Sequence, residues 1–155
     1  MKRARNCRSL LSVTVLGGCL GVALWGMAGQ VQAAEEGEKP YVVECAPDAT
    51  NASQCKVDIH TFKGWRTYHS FCHVCHAQDA VGSTFAPSLV DRLKGLDKAR
   101  FMHSVANGYK GQIGVMPPWK DNPNVSKHYE DLYAYLKARS DGVLPPGRPK
   151  KLPRK

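Results

Sequence analysis

Runs of alternating apolar and polar residues are almost missing from these 155 residues, so little sheet is expected. No internal repeat is visible. One C-x-x-C is present without a second, so a four-cysteine zinc site would lack half its ligands. Acidic residues are absent from the first 33 positions, and a surplus of either charge is absent from the body that follows. The chain has 22 Lys+Arg and 13 Asp+Glu. Lys2, Arg3, Arg5 and Arg8 fall in the first 33 residues, and Arg148, Lys150, Lys151, Arg154 and Lys155 in the last eight. The basic balance is therefore a property of the two ends, and it makes no case for nucleic-acid binding.

The first 33 residues read as a secretory signal peptide: a basic start, an apolar stretch from about Leu10 to Met27, and small residues at Val31-Gln32-Ala33 for cleavage. An uncleaved anchor is the competing reading, because the stretch approaches spanning length. Its glycines and the V-Q-A site favour removal, so no stable membrane insertion of the mature form is expected. Leu16-Gly17-Gly18-Cys19 resembles a lipoprotein signal, but Cys19 sits inside the apolar run. Export implies the periplasm. It also takes Cys7 and Cys19 with the leader and leaves four cysteines. Cys45 and Cys55 form a pair in an oxidising compartment, where a disulfide is the default. So short a loop would contribute about 2–3 kcal/mol. The rival, two ligands of a metal site, lacks nearby partners beyond His60.

Along the mature chain, residues 34–56 read as an irregular arm. Asp58 is a candidate N-cap for a helix over His60–Cys72, with Phe62, Trp65, Tyr68, His69 and Cys72 at three- and four-residue steps. A loop spans Gln78–Ala86. Ser88 caps a short helix over Leu89–Lys94, and Asp97 caps Lys98–Asn107, whose buried side carries Phe101, Met102, Val105 and Ala106. Residues 109–125 are rich in Gly and Pro. A last helix covers about Lys127–Arg139, with Tyr129, Leu132, Tyr133 and Leu136 on one face. Residues 143–155 hold four prolines, five bases and no periodicity, the pattern of an extended or disordered tail. The reading is all-α, with a core domain over 57–142.

Cys72-His73-Val74-Cys75-His76 is the C-x-x-C-H pattern of covalent haem attachment. Two thiols one helical turn apart can meet the two vinyl groups of haem c, and the adjacent imidazole of His76 then faces the iron. A redox dithiol or half a zinc site are the alternatives. The attached His, the leader and the missing second C-x-x-C speak against both. The sixth ligand is expected to be Met116, in Gly114-Val115-Met116-Pro117-Pro118-Trp119, because a proline-stiffened loop can hold a thioether that has no helix behind it. Thioether ligation favours ferrous iron and raises the potential. Met102 fits core packing instead. His60, His69, His103 and His128 have ordinary readings on helices, and His73 is a spacer. An open iron position, giving a gas binder, sensor or peroxidase, is the other alternative. A proximal histidine needs an acceptor on its other ring nitrogen, and the Pro87 carbonyl is the candidate. Tyr68, Trp119 and Tyr135 could reach haem propionates, although core packing is the commoner use of such aromatics.

With these residues placed, the chain resembles class I cytochrome c over about 57–142. Gly64, Tyr68 and Cys72 match that family's first helix, and Asp131-Leu132-Tyr133-Ala134-Tyr135-Leu136-Lys137 resembles its closing helix. The resemblance implies crossed N- and C-terminal helices around one covalently bound haem, with Gly64 allowing close approach. A narrower resemblance rests on the order of the four cysteines, on Gly64-Trp65-Arg66-Thr67, Ala86-Pro87-Ser88-Leu89 and Met116-Pro117-Pro118-Trp119, and on Gly142–Pro149. These segments are similar to the four-cysteine cytochromes of methanol metabolism. That implies a periplasmic one-electron carrier, not an enzyme. It would accept electrons from a PQQ-dependent, often lanthanide-dependent, methanol or alcohol dehydrogenase and pass them to a downstream cytochrome c or terminal oxidase. A general respiratory cytochrome c would share every haem feature. Docking is expected through Ile113, Val115, Pro117, Pro118 and Trp119, an apolar centre with Lys110 and Lys120 at its rim. The tail from Arg148 is a second candidate for steering an acidic partner.

Overall fold

Two helices set the frame of this computed structural model, which describes residues 38–153 apart from residue 113. The expected signal peptide (1–33), Ile113 and the last two residues lie outside the described residues. Helix α1 spans Ile59–Phe71 and α6 spans Tyr129–Ser140. Between them come α2 (His73–His76), a 3-10 turn at Gln78–Ala80, α3 (Leu89–Arg92), α4 (Lys98–Asn107) and α5 (Pro123–Ser126). Each longer start has a chemical cause. Asp58 accepts from the His60 and Thr61 amides, Ser88 from Asp91 and Asp97 from Arg100, each satisfying an N–H that the helix leaves open. Asp58 also accepts from Thr61 Oγ1 and the Val42 amide. Partial burial opposes its ionisation, yet these hydrogen bonds hold the carboxyl below its ordinary range.

Helices α1 and α6 pack backbone to backbone at Gly64. A Cβ there would stand 1.8 Å from the Asp131 carbonyl oxygen and 2.8 Å from Tyr135 Cβ, so no side chain fits. The core lies along this seam. Tyr68, Leu132, Ala134, Tyr135, Leu136 and Ala138 are buried there, as are Phe101 and Val105 of α4, with Phe101 against Tyr133. Asp131 is also buried, and its carboxylate is held by His60 Nδ1 at 2.6 Å and His128 Nδ1 at 2.7 Å. Two imidazoles satisfy a carboxylate that would otherwise be costly to bury.

The fold is mostly helical, but it is not free of strand. In the N-terminal arm, β1 (Val43–Cys45) pairs antiparallel with β2 (Cys55–Val57), and β5 (Lys150–Lys151) adds in parallel to β2. A two-stranded ribbon joins β3 (Tyr109–Lys110) to β4 (Val115–Met116). Strands of two or three residues are too short to show alternation, and β2 finds β5 more than ninety positions away. Cys45 and Cys55 are opposite partners in the β1–β2 register and are joined by a disulfide.

Of the two readings of residues 143–155, extended or disordered, the described part as far as Pro153 is extended and packed against the body. Leu144 and Pro149 are buried. Ala52 donates its amide to Pro146 O at 2.7 Å, Leu152 to Val57 O at 2.8 Å and Gly147 to Asp79 Oδ1 at 2.8 Å. Arg148 lies over the Trp65 ring at 5.4 Å and Lys151 over Phe62 at 5.5 Å. The aromatic stripe of α1 thus gives two of the tail's cations a face to cover. Composition suggested solvation because each contact is made with a distant element.

Candidate haem site

Helix α1 ends where the motif begins. Cys72 caps it, and after one turn of α2 the chain has placed Cys72 and Cys75, neither joined in a disulfide, beside the buried His76. Cys75 is exposed. His76 is 7% exposed, and its Nδ1 lies 3.0 Å from the Pro87 carbonyl oxygen. A carbonyl can only accept, so Nδ1 carries the proton and Nε2 keeps its lone pair. Burial holds the imidazole's pKa below the ordinary histidine range, although the Pro87 bond works against this. A neutral imidazole with a fixed tautomer is the form that can ligate a metal.

The turn bringing Pro87 back to His76 is strained. Ala77, Asp79 and Ala80 have φ of 61°, 60° and 66°, conformations that cost an L-residue about 1–3 kcal/mol each. Three side chains hold it. Tyr68 donates its hydroxyl to Ala77 O at 2.5 Å. Arg139 donates Nε and Nη2 to Asp79 O at 3.3 and 3.2 Å, and Nη1 to Leu144 O. Ser83 Oγ donates to Cys75 O. Sequence reading passed over Arg139. Its signal was positional, since it lies on the Leu132–Leu136 face of α6, where a charged residue is expected to have a task.

Met116 lies forty residues past His76, half-buried in β4 opposite Tyr109. Gly108 makes the entry to this ribbon possible. Its φ is +79°, and a Cβ there would come within 2.6 Å of Met116 O. Trp119 and Lys120 donate their amides to Val105 O and Ala106 O, so the loop after Met116 is tied to the end of α4. Met102 packs against the core. Among the remaining histidines, His73 is half-buried, stacked on His69 at 6.2 Å between ring centroids, with its Nδ1 unpartnered among the described residues. His60 and His128 hold Asp131, His69 Nδ1 bonds Trp65 O at 2.8 Å, and His103 is exposed. Of the aromatics considered for propionates, Tyr68 is used on Ala77, Tyr135 is in the core, and Trp119 meets Phe71 edge-on at 5.9 Å.

Val74, Val81, Phe85, Tyr109 and Val115 are exposed large apolar residues, with Val74, Phe85 and Val115 above 70%. All five belong to the segments that carry Cys75, His76 and Met116. This donor set fits a covalently held haem: two thiols one turn apart, an imidazole with a free Nε2, a thioether on a separate tethered loop, and apolar side chains on the same segments.

Comparison with known proteins agrees with the geometry, and the chain belongs to the c-type cytochromes, electron-transfer proteins that bind haem c covalently. A family model described as cytochrome c oxidase, cbb3-type, subunit III matches residues 61–136. The chain is similar to cytochrome c-553I of Paracoccus denitrificans, 40% identical over 72% of this chain and 51% of that protein. It is 37% identical to cytochrome c-555 of Methylococcus capsulatus over 64% of this chain and 78% of the relative. The crystal structure of the c-type cytochrome XoxG from Methylobacterium extorquens AM1 superposes with a TM-score of 0.60 at 46% identity, covering 64% of this chain and 62% of that one. The chain thus spans about half the length of cytochrome c-553I. Among the described residues no helix is long and apolar enough to cross a membrane.

Proposed function

We propose that this cytochrome is a periplasmic one-electron carrier that takes electrons from a PQQ-dependent methanol or alcohol dehydrogenase and passes them to a downstream cytochrome c or terminal oxidase. Cys72 and Cys75 would hold one haem per chain through thioether bonds, His76 and Met116 would supply its iron ligands, and α1 and α6 would be the crossed helices of a class I fold. The observation that carries the reading is His76: buried, one residue past the second thiol, with Nδ1 fixed on Pro87 O at 3.0 Å. The group supplies a reversible ferric–ferrous couple, and the chain's residues set its environment. His76 gives a neutral nitrogen of fixed tautomer, and Met116 a soft thioether that favours the ferrous state. Tyr68 and Arg139 keep the Ala77–Ala80 turn in place, and with it the Pro87 carbonyl.

The dehydrogenase partner is supported by the four-cysteine resemblance and by the 46% identity to XoxG. Each copy of this chain would take one electron, so two copies would be needed to reoxidise a quinone cofactor reduced by two electrons. The second reading, a cytochrome serving a terminal oxidase without the dehydrogenase, draws on the description of the matching family model. Stopped-flow mixing separates them. Oxidised holoprotein should be reduced by a PQQ methanol dehydrogenase supplied with methanol, and not by the same enzyme without alcohol. Reduction by neither, with rapid oxidation of the ferrous protein by an oxidase, would favour the second reading.

A further inference from the structure

Asp79 lies in the loop that runs from His76 to Pro87, and both its acceptor groups face distant parts of the chain. Its backbone is left-handed, with φ 60°, a conformation that persists only where the surroundings fix it. The carbonyl takes Arg139, and Oδ1 accepts the Gly147 amide at 2.8 Å. His69 Nε2, at 3.9 Å from Oδ1, is too far for a hydrogen bond. No side chain fits at Gly147: its φ is +108°, and a Cβ there would stand 2.8 Å from Asn51 Oδ1. Asn51 belongs to the N-terminal arm, where the next residue, Ala52, donates its amide to Pro146 O at 2.7 Å. The arm therefore fixes where the Gly147 N–H points. Further along the loop, Gly82 donates its amide to His76 O at 2.9 Å. A Cβ on Gly82 would lie 2.5 Å from Ser88 N and 2.9 Å from Pro87 C. Only Ala80 and Val81 separate Asp79 from this glycine, which is lodged between His76 and Pro87.

We infer that Asp79 is a positioning residue for His76: its carboxylate, bound to the Gly147 amide, fixes the loop that keeps the Pro87 carbonyl on His76 Nδ1. The C-terminal segment thereby sets how strongly this imidazole donates to iron. A carboxylate on a backbone N–H is a strong, charge-assisted tie, suited to hold a left-handed residue in place. An acceptor on the far ring nitrogen raises the basicity of a ligating imidazole, and a more basic nitrogen favours the ferric state. Releasing Asp79 therefore weakens the bond between Nδ1 and Pro87 O and raises the reduction potential. Loss of Met116, or entry of water, moves the potential the other way, because a thioether and a dry site favour ferrous iron. The sign of the shift separates positioning from general loosening. The inference rests on the reading of His76 as an axial ligand and deepens it.

The test compares Asp79→Gly with Asp79→Asn as holoproteins. Both lose one negative charge and both tolerate a left-handed backbone, but asparagine keeps an oxygen for Gly147. Asp79→Gly should therefore show the higher reduction potential of the two. In the ferrous proteins, nuclear magnetic resonance should find the Gly147 amide and the His76 Nδ1 proton exchanging about tenfold faster in Asp79→Gly than in Asp79→Asn. Equal potentials, a lower potential in Asp79→Gly, or equal exchange would each overturn the inference. If Asp79→Gly yields no holoprotein, the wild type decides: in low denaturant, the Gly147 amide and the His76 Nδ1 proton should be released at the same concentration, and separate release would overturn the inference. Failure of the ligand reading looks different. The His76 ring protons would then lack the large upfield shifts that a haem plane imposes on an axial ligand, which ends both readings, while Gly147 exchange still reports the bond to Asp79.

Discussion

Substituting Gly64 with alanine probes the contact on which the site's placement depends. The new Cβ would lie 1.8 Å from Asp131 O, 2.6 Å from Asp131 C and 2.8 Å from Tyr135 Cβ. Carbon and oxygen sit comfortably at about 3.3 Å or more, so α1 and α6 must separate by about 1.5 Å. Two of the three obstructing atoms are backbone, which cannot rotate away. Overpacking of this kind costs about 1–3 kcal/mol, more where the backbone itself must move. Alanine returns about 1 kcal/mol through its better helix propensity. With the cost at the top of that range because backbone must move, a net loss of about 2 kcal/mol is expected, lowering the melting temperature by about 6–10 °C for a chain of this size. Gly95→Ala is the control. Nothing lies within 4 Å of that position and its φ is not left-handed, so its effect should stay within about 0.5 kcal/mol. Thermal unfolding of both holoproteins, followed by far-ultraviolet circular dichroism and by Soret absorbance, reads the difference. If Gly64→Ala melts together with Gly95→Ala, the α1–α6 seam is not the tight contact described.

Three further outcomes follow from the same geometry. Non-reducing mass mapping should find Cys45 linked to Cys55, and replacing both with serine should cost about 2–3 kcal/mol with little change in the haem spectrum; two alkylatable thiols in fresh oxidised protein would contradict this. Asp58→Ala removes the α1 cap and should cost about 1–2 kcal/mol at neutral pH. Because the folded Asp58 carboxyl titrates below its unfolded value, its contribution is full above the unfolded pKa and lost as pH falls through the folded one. The variant and wild type should therefore draw together in acid, and a gap that stays constant down to strongly acidic pH would count against the cap. Arg139→Met removes the donors to Asp79 O and Leu144 O, and should raise amide exchange in residues 77–80 and 144–152; unchanged protection there would mean the turn is held by other contacts.

Much of the helical frame could be read from the chain because its signals are local. Asp58, Ser88 and Asp97 each cap a helix within three residues of themselves, and the attachment motif fits into one turn. The sheet could not be read this way. Register between Val57 and Lys151 depends on a chain reversal that leaves no mark on either segment. The tail misled for a related reason, since Arg148 and Lys151 read as solvated charge until Trp65 and Phe62 are known to lie beneath them. Within the site, the His76–Pro87 contact could be named from donor chemistry, and Met116, the proposed sixth ligand, is expected from its proline-stiffened loop. Arg139 could not, because its acceptors, Asp79 O and Leu144 O, are backbone atoms and carry no sequence signature.

Axial ligation by His76 and Met116 is the central claim, and the near-infrared spectrum of the oxidised holoprotein tests it most directly. Methionine sulfur on ferric haem iron gives a charge-transfer band in that region. Wild-type protein should show the band, and Met116→Ala should lack it and have a lower reduction potential. A band that survives Met116→Ala would assign the sixth ligand to another residue and leave the Val115–Met116 strand without a part in holding the iron.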